Sequence, residues 1–256
     1  MPTALVTGST AGIGAAFADR LAADGHDLVL VARDADRLRE QALTLKEAHG
    51  VQIETIIADL SRPDERTQVS DRLARAGVDL LVNNAGMGNA WPFWKLHPDA
   101  AHAQFELHAG TVFELTTAAL PGMLDRRRGA VLNVSSLAGV LPGPNGVAYT
   151  AEKTFVVQLT LGLAAALQGT GVRAIAVCPG FTRTELHKRA GVVVGDRSSG
   201  WWLNPEDVVD RALVDLRRGR ALSVPGWRNR CLLRATDVLP HGLVRYVSSR
   251  LARRSG

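Results

Sequence analysis

Seven short apolar runs punctuate the chain, at residues 4–7, 27–32, 52–58, 79–83, 130–134, 173–178 and 221–224. They are rich in Val, Ile and Leu with little polar alternation, the pattern of parallel strands buried on both faces. Between them the apolar positions recur at helical spacing. The segments 14–23, 38–49, 63–76, 103–127, 147–167 and 205–217 are predicted helices. Gly50 is placed to end the second, and Gly77 the third. Ser61 is a candidate N-cap for the third, and Asn204 precedes Pro205 as cap and first helical residue. Repeated strand–helix units predict an α/β fold, a doubly wound parallel sheet of seven strands with helices on both faces and right-handed crossovers.

Three stretches break this rhythm: 84–102, 137–146 and 181–203. In doubly wound folds ligands bind beyond the carboxyl ends of the strands, so these stretches are the candidate walls of a site. Beyond Trp227 the chain carries Arg228, Arg230, Leu232 and Leu233 and then Leu243, Val244, Arg245 and Val247, a pattern of one or two basic amphipathic helices. The 256 residues suffice for a sizeable core, and 46% hydrophobic with 21% charged residues suits a globular chain.

The net charge of +5 is concentrated near the C-terminus, with Arg245, Arg250, Arg253 and Arg254. No Lys/Arg stripe is interleaved with aromatics, so a nucleic-acid partner is not expected. A solvated basic face is the favoured reading, with peripheral contact to an anionic membrane as the competing one. Cys178 and Cys231 offer neither a disulfide framework nor metal-ligand spacing, and no metal is expected. The start, Met1 to Val6, lacks the basic and apolar regions of a signal peptide, and no apolar run reaches membrane-spanning length, so a cytoplasmic protein is expected.

Tyr149 and Lys153 stand four residues apart in a predicted helix and share a face. A phenol is a poor acid at neutral pH, with a pKa of about 10. An ammonium one turn away favours the phenolate. Such a tyrosine can give a proton to an alkoxide or take one from an alcohol. At the other end of the chain, the first strand runs through Thr7-Gly8-Ser9-Thr10-Ala11-Gly12-Ile13-Gly14 into a helix. Glycines there let the backbone approach a pyrophosphate, and the helix N-terminus supplies N–H groups and positive potential.

The order and spacing of these features resemble the short-chain dehydrogenase/reductase family over nearly the whole chain, up to about residue 225. Further matches follow in sequence: Asp59-Leu60 after the third strand, Asn83-Asn84-Ala85-Gly86 at the end of the fourth, Ser135-Ser136 at the end of the fifth, and Pro179-Gly180 after the sixth. The resemblance implies a Rossmann-type catalytic domain over residues 1–225 with a substrate lid at about 181–203, followed by a basic helical extension at 226–256. It implies Tyr149 as general acid/base, Lys153 as the group that lowers its pKa and holds the nicotinamide ribose, and Ser136 as the hydrogen-bond partner of the substrate oxygen. The cofactor would lie along Gly8, Ser9, Thr10, Gly12, Ile13 and Gly14, then Arg33, Asp34, Asp59 and Leu60, then Asn84, Ala85 and Gly86, and finally Tyr149, Lys153, Pro179, Gly180, Thr182 and Thr184. A homo-oligomer is likewise implied.

One position departs from the family pattern. His108 stands where relatives usually carry an asparagine that holds a water beside the lysine. A histidine can hold a water and titrates near neutrality, so His108 is expected either to join the proton relay or to pack in its helix. Arg33 stands where NAD-preferring relatives place an acid, and an arginine suits a 2′-phosphate. NADP(H) is therefore favoured over NAD(H), with Asp34 as the competing acidic neighbour. His187, Lys188, Arg189, Val192, Val193, Val194, Trp201 and Trp202 of the lid, with Trp91, Phe93 and Trp94, are expected to line an apolar pocket or to pack the lid on its own domain. The expected activity is an oxidoreductase interconverting a carbonyl and a secondary alcohol of a lipophilic small molecule. Against it stand a catalytically weak dinucleotide-binding regulator, which His108 alone favours, and a sugar-nucleotide epimerase, whose glycine spacing differs.

Overall fold

Successive residues of the first strand divide two hydrophobic cores between them: Ala4 and Val6 belong to one, Leu5 to the other. This is the period of two expected of a strand covered on both faces. The computed structural model describes residues 1–75, 77–88, 92–141, 146–185 and 201–238. Its strands are β1 (Thr3–Thr7), β2 (Asp27–Ala32), β3 (Ile53–Ile57), β4 (Val78–Asn83), β5 (Gly129–Val134), β6 (Val172–Val177) and β7 (Leu222–Ser223). They form one sheet in the order β3-β2-β1-β4-β5-β6-β7, parallel at every pairing.

The helices are α1 (Gly12–Ala23), α2 (Ala35–His49), α3 (Pro63–Ala74), α4 (Pro98–Phe105), α5 (Thr111–Asp125), α6 (Val147–Ala166), α7 (Pro205–Arg217) and α8 (Trp227–Val238). Phe17 and Leu21 of α1, Leu38 and Leu45 of α2, and Val208 and Leu213 of α7 cover one face of the sheet. Val69 and Leu73 of α3 and Leu115, Ala119 and Met123 of α5 cover the other. No described helix is long and apolar enough to cross a membrane.

The strand order reverses at β1, so its carboxyl end and that of β4 flank the crevice where such folds bind ligands. Side chains stitch this junction. Thr7 Oγ1 accepts from the Asn84 N–H at 2.9 Å and the Ala85 N–H at 3.0 Å. Asn84 Nδ2 donates to the carbonyls of Thr7 and Gly8. A second polar ladder crosses the buried sheet from α5 to α6. Asn83 Nδ2 donates to Thr116 Oγ1 (3.2 Å) and Asn133 Oδ1 (2.9 Å), and Asn133 Nδ2 donates to Thr160 Oγ1 (2.9 Å).

The expected strands and helices are present, with local corrections. Gly50 closes α2 in the left-handed region, as its placement predicts. Ser61 does not cap α3: its N–H and hydroxyl both donate to Asp59 Oδ1, which leaves Arg62 at the cap position without a side-chain bond. Asn204 stands at the N-cap of α7 with Pro205 as the first helical residue, as expected, but its side chain bonds Arg183 and Asp207 instead of the helix backbone. The helix expected over 103–127 is interrupted by a π-helical turn at Glu106–Gly110, between α4 and α5. The basic segment beyond residue 238, with Arg245, Arg250, Arg253 and Arg254, lies outside the described residues.

Asn133→Ala takes one hydrogen-bond partner from each of buried Asn83 Nδ2 and Thr160 Oγ1, and a buried polar group left without a partner costs about 1–3 kcal/mol. The variant is expected to lose about 2 kcal/mol or more in denaturant unfolding; a loss within the error of the measurement would show that the ladder is dispensable.

Candidate active site

The π turn decides which side chain faces the tyrosine. Its carbonyl at Glu106 accepts from the Thr111 N–H, Thr111 Oγ1 (3.0 Å) and Arg66 Nη1 (3.0 Å). Arg66 is buried and also grips the carboxylates of Glu106 (2.8 Å) and Glu114 (3.0 Å). Gly110 makes this packing feasible, since a Cβ there would lie 2.5 Å from Glu106 Oε2 and 3.0 Å from Arg66 Nη1. Such π turns concentrate at functional sites, and this one carries His108.

His108 is fully buried and its ring meets Tyr149 edge-on, with centroids 5.5 Å apart. Both ring nitrogens are engaged. Nε2 accepts from the Met87 N–H at 2.9 Å, which fixes the proton on Nδ1, and Nδ1 donates to Glu152 Oε2 at 2.6 Å. Burial, with the Lys153 charge, pushes the His108 pKa down to about 4, so the ring is neutral. Relay of a proton through it requires breaking one of these two bonds.

Tyr149, Glu152 and Lys153 project from α6 toward the carboxyl ends of β5 and β6. Tyr149 is half-buried. Burial of its hydroxyl raises its pKa, and a hydrogen bond with Ser136 draws it back. Lys153 Nζ lies 5.8 Å from the phenol centroid and donates to the Val134 carbonyl at 3.1 Å. The expectation that the lysine lowers the phenol's pKa is not met: desolvation dominates, Ser136 is the group that draws the pKa down, and Lys153 is not among the groups that shift it. Burial also lowers Lys153 itself, to about 8, against the raising influence of Glu152. Ser135 Oγ donates to the Lys153 carbonyl at 2.8 Å and ties the helix to β5. Gly139 lets the turn after β5 close on the same point, since a Cβ would fall 2.6 Å from that carbonyl.

The structure therefore brings Ser136, Tyr149, Lys153 and His108 together. It adds Glu152 and Gln104, which the sequence reading did not single out. Both are buried, and Gln104 Nε2 donates to the two oxygens of Glu152 at 3.1 and 2.9 Å. The available signal was an acid three residues from Tyr149 on a helix face otherwise lined by Val156 and Val157.

Several of the residues named for a dinucleotide gather at the glycine turn and at the ends of β1 and β4. Gly8 and Gly12 have φ of +63° and +55°, and a Cβ on Gly14 would fall 2.1 Å from the Gly8 carbonyl oxygen. The turn thus has the tight bare backbone that a pyrophosphate can approach. No side chain caps α1 and no acid lies in its first turn, which leaves N–H groups for an anion. Ser9 Oγ is buried with no hydrogen-bond partner among the described residues. Thr184 closes on the turn, its Cγ2 lying 2.8 Å from where a Gly12 Cβ would be. Thr182 Oγ1 donates to the Gly180 carbonyl, and the Pro179 carbonyl accepts from Leu137 N–H. Ile13 packs against the first core and Leu60 is buried in the second. These residues fit the group.

At the far end of the crevice Asp34 caps α2, accepting from the Arg37 N–H at 3.1 Å. Arg33 is exposed and pairs with Asp59 at 3.5 Å. Burial pushes the Asp59 carboxyl up, but hydrogen bonds from Ser61 and the Arg33 charge outweigh it and hold it below the usual range. Of the expected apolar pocket, Phe93 and Trp94 are exposed, while Trp202 is buried against Phe181 with centroids 5.6 Å apart. Trp201 and Trp227 flank the Arg228 guanidinium at 5.7 and 5.4 Å. Trp91, His187, Lys188, Arg189 and Val192, Val193 and Val194 lie outside the described residues.

The model for the short chain dehydrogenase family matches residues 2–192. The very-long-chain 3-oxoacyl-CoA reductase of Homo sapiens is 36% identical over 189 residues, which cover 72% of this chain and 61% of that protein. The chain thus spans about three fifths of the length of such relatives. The granaticin polyketide synthase putative ketoacyl reductase 1 of Streptomyces violaceoruber is 35% identical over 224 residues, 86% of this chain and 80% of that one. Among solved structures, the short-chain dehydrogenase from Sphingobium yanoikuyae in complex with NADPH superposes with a TM-score of 0.86 at 36% identity, covering 95% of both chains. The chain belongs to the short-chain dehydrogenase/reductase family.

Proposed function

We propose that the protein is an NADP(H)-dependent oxidoreductase that interconverts a carbonyl and a secondary alcohol on a lipophilic small molecule, with a ketoacyl chain as the leading substrate class. The observation that carries this reading is the juxtaposition of Tyr149 with Ser136, His108 and Lys153 at the carboxyl ends of β5 and β6. When bound, the nicotinamide cofactor supplies the hydride that the carbonyl carbon takes up. The protein's own groups manage the oxygen. Ser136 donates a hydrogen bond to it and stabilises the charge that develops there. Tyr149 gives it a proton in reduction and removes one in oxidation. Lys153 presents N–H groups to the ribose and positive charge to the phenol.

The ketoacyl class is supported by the reductases among the relatives and by the exposed apolar side chains Phe93, Trp94, Phe181 and Trp201. The NADP(H) preference is supported by Arg33 just after β2 and Arg37 in the first turn of α2, and by Asp34 being committed to its helix cap. Phe105, Phe113 and Phe155 are exposed on α4, α5 and α6, an apolar surface that suits the homo-oligomer expected of the family.

Tyr149→Phe is expected to retain NADPH binding and to lose turnover by about 10²–10⁴-fold, read by NADPH absorbance over a panel of lipophilic ketones and ketoacyl thioesters. Binding without turnover by the unmodified protein on the whole panel would instead favour a dinucleotide-binding regulator. Arg33→Ala is expected to raise the Michaelis constant for NADPH while leaving that for NADH nearly unchanged; an equal effect on both would remove the 2′-phosphate reading. Lys153 is an ammonium below about 8 and loses its proton above it, whereas Tyr149 stays protonated through that range. The kcat/KM for NADPH is therefore expected to fall as pH rises through about 8; a profile flat to pH 10 would contradict it.

A further inference from the structure

A cluster of buried polar side chains stands against the catalytic tyrosine, and nothing in the proposed chemistry uses it. Gln104 comes from α4, His108 from the π turn and Glu152 from α6. None of the three is more than 4% exposed. The bonding pattern fixes the part each one plays. A backbone N–H only donates, so His108 Nε2 accepts from Met87 at 2.9 Å and carries no proton. A proton there would set one N–H against another, so the geometry holds the ring neutral with its proton on Nδ1. Nδ1 donates to Glu152 Oε2 at 2.6 Å, and Gln104 Nε2 donates to both oxygens of the same carboxyl group.

Each end of the imidazole therefore grips an element of the site. Met87 follows Asn84, Ala85 and Gly86, whose backbone Thr7 already ties to β1. This is the anchored end. Gly86 lets that backbone come close, since a Cβ there would lie 3.3 Å from His108 Nε2. At the other end Glu152 stands three residues after Tyr149, one turn along the same helix face. A bond to Glu152 fixes the turn of α6 that carries the phenol. The imidazole also meets the phenol itself, edge to face at 79°.

We propose that His108 is a positioning residue, a two-ended tie between the segment after β4 and α6 that sets where the Tyr149 phenol stands, with Glu152 as its anchor on the helix and Gln104 as the brace of that anchor. The catalytic consequence rests on the proposed function; the tie itself does not. A proton arriving at Nε2 would have to displace the Met87 N–H, so the ring acts as a spacer and not as a conduit. An apolar side chain would serve for packing alone. Three buried polar groups are tolerated here because each bonds another.

The test measures kcat per NADPH-binding site, with the sites counted by fluorescence titration so that misfolded protein does not enter the rate. His108→Ala is expected to lower kcat by about 10²-fold, the size of effect that a small misplacement of a reacting group produces. Its NADPH affinity is expected to stay near that of the parent, because Thr7 holds the Asn84–Ala85 backbone independently. Glu152→Ala is expected to show a similar loss, and the double variant no more than the larger single loss, since both remove one tie. Glu152→Gln keeps an oxygen for Nδ1, and Gln104 Oε1 is buried without a partner among the described residues and can accept from the new amide. This variant is expected to retain most of the turnover. An unchanged kcat in His108→Ala overturns the proposal, as do single losses that multiply in the double variant. A loss in Glu152→Gln equal to that in Glu152→Ala also overturns it, by marking the charge and not the bond. Should the alanine variants not fold, the ring nitrogens of His108 are read by ¹⁵N NMR in the cofactor-free parent near neutral pH. A bare Nε2 with a protonated Nδ1 supports the tie, and a proton on Nε2 overturns it. A protein with the expected tautomer that reduces no carbonyl refutes the reductase reading and leaves the tie standing.

Discussion

Keeping an ammonium dry is the constraint around which this site is arranged. A charge taken out of water costs several kcal/mol unless it is paired and hydrogen-bonded. Lys153 is 5% exposed, and every neighbouring element contributes to making that tolerable. The β5 backbone offers the Val134 carbonyl, Ser135 pins the helix that carries the lysine, and Gly139 lets the following turn close over it. The same dryness that burdens the lysine serves the tyrosine. A phenol whose pKa is raised by burial keeps its proton near neutrality and so remains a donor.

The parallel sheet was legible because burial on both faces leaves a plain signature of unbroken Val, Ile and Leu runs, and because glycine at a positive φ has few substitutes at a strand–helix turn. Tyr149, Lys153, Ser136 and the glycine turn could be located because each is tied to a strand end. Interior polar contacts were not legible in the same way. Gln104 and Glu152 are separated by 48 residues, and nothing local in either segment announces the other. The capping side chains bond elsewhere for a related reason. Ser61 and Asn204 have the right chemistry for a helix end, but Asp59, Arg183 and Asp207 compete for the same hydroxyl and amide, and the competition is settled in three dimensions.

The cofactor end and the chemical end of the crevice differ in how they are built. Around Arg33, Arg37 and Asp59 the charges are partly exposed, and such pairs contribute little to stability. Around Tyr149 the side chains of Gln104, His108, Glu152 and Lys153 are buried and tied by hydrogen bonds.

The π turn at Glu106–Gly110 joins two helices that would otherwise be one. An extra residue in a helix with 3.6 residues per turn rotates everything beyond it by about 100°. The turn therefore works as a phase shift. Before it, Gln104 addresses α6; after it, Leu115, Ala119 and Met123 lie flat on the sheet. A continuous helix through the same sequence would have to surrender one of these alignments. In this stretch the number of residues is itself structural information: adding or removing one would not lengthen or shorten a connection but would redistribute which side chains the core receives and which the chemistry receives.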